Sequence, residues 1–210
     1  IAKDRQGGLM VSFEGRHRLR HFPAAPSPAD TIPVLAAAPK DLSRAPSNKG
    51  LEALAILGPE QYLLITEDHR NGDMDATGWI LSHARDLERS TAAELSFAVS
   101  GLFHPTDAVA LPDGDVLVLE RRYVLLKGGS MRLRRIARED IVPGARLVGT
   151  SLATIAPPLT VDNMEGIAVR KGTNGETLIY VMSDDNFSTG LGTLWLPGQR
   201  TLLMMFELVE

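Results

Sequence analysis

One feature limits this chain more than any other: a unit of roughly 53 to 64 residues recurs along it. Short apolar runs that end in an acid close at Glu14, Glu67, Glu120 and Asp184. They read Leu9-Met10-Val11-Ser12-Phe13-Glu14, Tyr62-Leu63-Leu64-Ile65-Thr66-Glu67, Val116-Leu117-Val118-Leu119-Glu120 and Leu178-Ile179-Tyr180-Val181-Met182-Ser183-Asp184. A second acid-bearing segment precedes three of them and carries Glu52, Asp107 and Glu165. The runs are rich in Val, Ile, Leu and Tyr, and Gly, Pro, Asp and Asn bound them, which is the chemistry of strands joined by tight turns. Pro112-Asp113-Gly114 and Thr173-Asn174-Gly175 are turn signals between successive runs. Units of this length with about four strands each predict an all-β fold, a β-propeller.

The spacing predicts a single domain over residues 1–210 with blades at about 1–47, 48–103, 104–162 and 163–210. Gly78–Leu81, Tyr123–Leu126 and Gly192–Leu196 are expected third strands. Leu95–Val99 and Thr201–Leu208 are expected fourth strands. Ala24–Asp30 reads as a surface loop. Ser130–Gly149 reads as a charged connection with a helical turn near Ile136–Ile141. Trp79 and Trp195 are expected to pack between blades. No first strand is legible before Gly8, so the N-terminal part of the propeller is expected to lie upstream of Ile1, and the second strand of the first unit to lack an inner neighbour.

Charge and composition exclude several partner classes. The net charge of −4 and the scattered basic residues, clustered only at Arg132, Arg134 and Arg135, disfavour nucleic acid and anionic membranes. No apolar run approaches the roughly 18 residues of a membrane helix. Cysteine is absent, so disulfides and thiol chemistry play no part. The serine-elbow and phosphate-loop patterns are missing.

If the unit repeats in space, Glu52, Asp107 and Glu165 trace a ring around the axis. Converging carboxylates repel unless a cation or basic group separates them, and hard oxygen donors suit calcium or magnesium. Asp184-Asp185-Asn186 is a second oxygen-rich cluster. Glu52, Asp107, Glu165, Asp184 and Asp185 are therefore the candidate metal ligands. Equally, each acid could cap a local turn within its own blade. His17, His69 and His104 lie near strand ends, where a hydrogen-bonded structural role competes with general-base chemistry.

Five segments together resemble the phytase-like (esterase-like) propeller family of bacterial secreted proteins. They are Val11–Arg18, Asn48–Leu54, Pro105–Ala108, Ala156–Gly166 and Ser183–Phe187, and the last two are the most distinctive. The resemblance implies a propeller and export to the periplasm or cell exterior. It also implies kinship with propeller phytases, which hold calcium with carboxylates at one face. Two functions follow as expectations: a calcium-dependent hydrolase of phosphate or other small anionic esters, or a non-catalytic propeller that binds a ligand or protein around a structural ion.

Overall fold

The apolar runs become the second strands of four successive antiparallel sheets in a computed structural model, which describes residues 1–67, 75–125, 128–186 and 199–209. The first blade pairs β1 (Ala2–Lys3), β2 (Leu9–Phe13), β3 (Arg18–Phe22) and β4 (Val34–Ala36) in that order. The second pairs β5 (Leu51–Gly58), β6 (Gln61–Thr66), β7 (Ala76–Ser82) and β8 (Thr91–Phe97). The third pairs β9 (His104–Ala110), β10 (Val116–Val124), β11 (Gly128–Ile136) and β13 (Thr150–Ile155). Between β11 and β13 the chain reaches back, and β12 (Arg146–Leu147) pairs in parallel with the outer strand β8 of the second blade. The fourth pairs β14 (Met164–Lys171), β15 (Thr177–Ser183) and β16 (Leu203–Leu208).

The second strands occupy equivalent places, as the spacing predicts. Their side chains alternate between two cores, because successive residues of a strand face opposite ways. Tyr62 and Leu64 join Met10, Leu19 and Trp79 in a cluster between the first and second blades. Leu63 and Ile65 turn the other way and join Phe97, Val116 and Val118 between the second and third. Leu117 and Leu119 then meet Met164, Ile179 and Val181 between the third and fourth. Each fully buried Leu, Ile or Val contributes about 1.5–3 kcal/mol of hydrophobic stabilisation, so the stacking of blades is driven by the strands that look least amphipathic. The inner strands β5, β9 and β14 stand side by side around the axis, with β1 and β2 against β5.

Several expectations need correction. The first blade has an inner strand, since β1 pairs with β2 through Ala2↔Met10 and Lys3↔Leu9. Two residues give no periodicity for a sequence reading to find. Tyr123 and Val124 belong to the end of β10, and the third strand of that blade is β11. The charged stretch from Ser130 to Ile136 is therefore strand and not connection. Its arginines fit a strand because their guanidinium groups pair with Glu120, Asp113 and Asp115. A 3-10 turn does follow, at Arg138–Asp140. β16 pairs directly with β15 and so takes the third place of its sheet, where the fourth was expected. Trp79 is 2% exposed and packs between blades as expected. The glycines of the two turn signals, Gly114 and Gly175, take φ of +100° and +91°, a region other residues rarely adopt. His69, Leu126, Trp195 and the expected strand Gly192–Leu196 lie outside the described residues.

Candidate functional site

A cavity of about 440 Å3 opens at the axis, and all four blades contribute to it. Its acids are Glu14 from the first blade, Glu52 and Glu67 from the second, Asp107 from the third, and Glu165 and Asp184 from the fourth. Arg121 of the third blade lines it as well.

β-Bulges aim the inner-strand acids. In β5 the register steps from Leu51↔Thr66 to Ala53↔Ile65, so Glu52 is an extra, unpaired residue. In β14 it steps from Met164↔Ser183 to Gly166↔Met182, so Glu165 is the extra one. In β9 it steps from Pro105↔Glu120 to Asp107↔Leu119, and the extra residue is Thr106. Bulges bend a strand and re-aim a side chain beside functional sites. The positional equivalent of Glu52 and Glu165 is thus Thr106, and Asp107 sits one place further along. Asp107 is 7% exposed and its carboxylate is tied to backbone: Oδ1 accepts from Ala108 N at 2.8 Å, and Oδ2 from Ile167 N of β14 at 2.9 Å. Asp107 thereby clamps the third blade to the fourth. Thr106 Oγ1 makes a parallel link to Met164 O at 3.0 Å.

The same one-residue offset corrects the acids that end the second strands. Thr66, Glu120 and Ser183 are equivalent by register, so Glu67, Arg121 and Asp184 are the equivalent residues after them. Glu120 does not face the axis. It is fully buried between Arg132 (Nε–Oε2 2.7 Å) and Arg134 (Nη2–Oε1 2.6 Å). Arg121 occupies the axial position. Its Nη2 lies 3.2 Å from Glu67 Oε1, its Nη1 lies 3.1 Å from Glu165 Oε1, and it also donates to Asn163 Oδ1. Lys49 Nζ is 3.7 Å from the other oxygen of Glu67. Sequence reasoning missed Arg121 because it tracked acids. Tracking the apolar residues Leu51, Pro105 and Met164 instead would have put Arg121 in line with Glu67 and Asp184.

In the same cavity, Glu52 meets Glu14. Burial raises the Glu52 carboxyl first, and Glu14, Glu165 and Glu67 add repulsion, pushing it up to about 8. A proton held in a hydrogen bond to Glu14 is the physical result. Glu14 itself accepts from Gly50 N at 2.7 Å. Burial also raises Asp107, to about 6, against the lowering effect of the nearby chain amino group and its two N–H donors. Glu165 is raised by burial, with Arg121 opposing.

Of the remaining candidates, Asp184 lines the cavity and accepts from Asn186 N at 2.9 Å. Asp185 turns instead toward Thr201 Oγ1 at 3.4 Å. His17 rests on the carbonyls of Ala45 and Pro46, and His104 on that of Glu67, as hydrogen-bonded structural histidines. For calcium, the donors suit the ion in kind, being carboxylate oxygens. In arrangement they do not: among the described residues no three His, Asp or Glu side chains converge closely enough to hold a metal ion.

Fold and site together define a β-propeller with an acid-lined axial cavity that holds both an arginine bridge and a carboxyl pair. The family model described as "Phytase-like: Esterase-like activity of phytase" matches residues 1–187, and the chain belongs to that family. Comparison with the curated proteins found no match. Among the described residues no helix is long and apolar enough to cross a membrane.

Proposed function

We propose that the chain hydrolyses phosphate or other small anionic esters at the axial cavity, with Glu52 as the general acid. The observation that carries this reading is a carboxyl group that keeps its proton near neutral pH while facing a cavity shared by four blades. A positioned acid with a pKa near the working pH can pass its proton to the leaving alkoxide oxygen as the ester bond breaks, and water supplies the new hydroxyl. The family supports hydrolysis at the coarse level. Calcium is proposed as an added counter-charge for an anionic ester. It would enter with the ester, with Glu14 and Asp184 as its protein donors, because Glu52 keeps its proton and Glu165 pairs with Arg121, and no step passes through it. Action in the periplasm or outside the cell goes with this reading.

The test is hydrolysis of β-glycerophosphate and ethyl acetate, alkyl esters whose leaving alkoxides need a proton, by the parent and by Glu52→Gln, each with calcium and with EDTA. The parent is expected to turn over the phosphate ester with calcium present. The variant should lose about 10²–10⁴-fold, the usual worth of general acid catalysis. A folded parent that hydrolyses neither ester would sink the proposal. One observation favours a second reading, a non-catalytic binding propeller. The carboxylates of Asp107 and Glu67 are already engaged by protein groups, as those of a structural ring would be. Calcium binding without hydrolysis would put that reading first.

A further inference from the structure

We infer that Arg121 is a tethered counter-cation, a positioning residue that holds the Glu67–Glu165 side of the axial ring together with no divalent ion there. The place it fills is acidic in the other blades. Glu14, Glu67 and Asp184 each follow the second strand of their own blade, and Arg121 lies within the longer β10 at the point that the register makes equivalent to Glu67 and Asp184. Its guanidinium spans a blade boundary on each side. One nitrogen reaches Glu67 in the second blade at 3.2 Å, and the other reaches Glu165 in the fourth at 3.1 Å. Asn163, which precedes β14, accepts from it as well. A planar fork with two outward N–H edges suits this bridging, which a point charge on a flexible stem would do less well. The groups that face it are Glu67, Glu165 and Asn163, with Lys49 on the far oxygen of Glu67.

Remove the guanidinium and two carboxylates from different blades lose the cation between them, with Lys49 still beside Glu67. An oxygen-binding cation is the natural replacement, because carboxylates at flexible spacing are what calcium accepts. The polypeptide itself therefore neutralises charge around Glu67 and Glu165, whatever the cavity does chemically.

The experiment is thermal unfolding of the full chain at pH 7.5, in EDTA and in 5 mM calcium (about that concentration suits a weak extracellular-type site), for the parent, Arg121→Gln and the double variant Arg121→Gln/Glu165→Gln. The parent is expected to melt within about 2 °C of the same temperature in both buffers. Arg121→Gln should melt on the order of 5 °C lower in EDTA, with at least half of the loss regained in calcium. In the double variant the opposing carboxylate is gone, so calcium should again make no difference. A parent that loses as much in EDTA as the single variant would overturn the inference. So would a single variant that calcium does not rescue, folded or not, or a double variant that needs calcium as much as the single one does. The readout is melting temperature, so a failure of the hydrolase proposal would show separately, in the ester assays.

Discussion

Glu52 carries opposing demands in a single side chain. Its bulge aims it into the cavity, where burial and three neighbouring carboxylates disfavour its charge. In the unfolded chain the same group titrates near its ordinary value of 4.5, so between that value and about 8 the folded state holds the extra proton. Stability contributed by this group must then fall as pH rises through that window and level off above it. Glu52→Gln keeps a hydrogen-bond donor for Glu14 and removes the titration. The variant is expected to melt higher than the parent at pH 8 and about equally at pH 5. Melting curves taken at half-unit steps would show it, and parallel pH profiles for the two proteins would count against a protonated Glu52. Asp107, raised to about 6, adds a smaller loss of the same sign at lower pH.

Among the elements, β10 and β11 show best what kind of ion pair stabilises this fold. Glu120 on β10 lies opposite Arg132 in the register, and Arg134 is two residues further along the same face of β11. Arg134 continues to the carbonyls of Ala98 and Val148, and its guanidinium lies 4.1 Å from the centre of the Phe97 ring. Removing the carboxylate charge leaves two guanidinium groups packed without a counter-ion, a change that costs about 3–5 kcal/mol for a buried pair. Glu120→Gln is accordingly expected to destabilise by that amount in urea unfolding, with little effect on events in the cavity. A loss below about 1 kcal/mol would place Glu120 in a more hydrated setting than its burial indicates.

This element also shows where sequence reading holds and where it slips. The second strands are legible because Tyr62–Ile65 and Val116–Leu119 are apolar on both faces, a pattern that survives without any structural knowledge. The axial position of Glu52 and Glu165 is legible too. Position 107 is read one place out, because a bulge adds a residue without leaving a mark in composition. Asp107 and Glu120 are acids that resemble the ring residues in spacing and differ from them in register. β11 is hidden for a different reason: its arginines look like a solvated segment until their partners on β10 and in the turn before it are known. Nothing in a two-residue pairing such as β1 or β12 rises above the background of an unstructured connection.

At the scale of the molecule, no blade owns its core. Each of the three apolar clusters is built from two neighbouring sheets, and the second and third blades are joined further by β12. Leu147 of β12 is fully buried in the cluster shared by those blades. Leu147→Ala is expected to cost about 2–5 kcal/mol. Hydrogen exchange should quicken first in the amides of β8, which lose their partner strand, while β2 and β3 stay protected. Equal acceleration across the first blade would mean that the clip does not act locally.

The backward reach of β12 has a bearing on how such a chain can be divided. A break at residues 37–49 or at 156–162 separates neighbouring sheets without dismantling any strand ladder. A break at 98–103 does not, because the outermost strand of the upstream sheet would then be supplied by the downstream piece. Permuted or split versions cut at the first two places each retain complete ladders, whereas halves made at the third would have to exchange a strand to reassemble. Blades two and three therefore behave as one inseparable module, to be transplanted into another ring together or not at all.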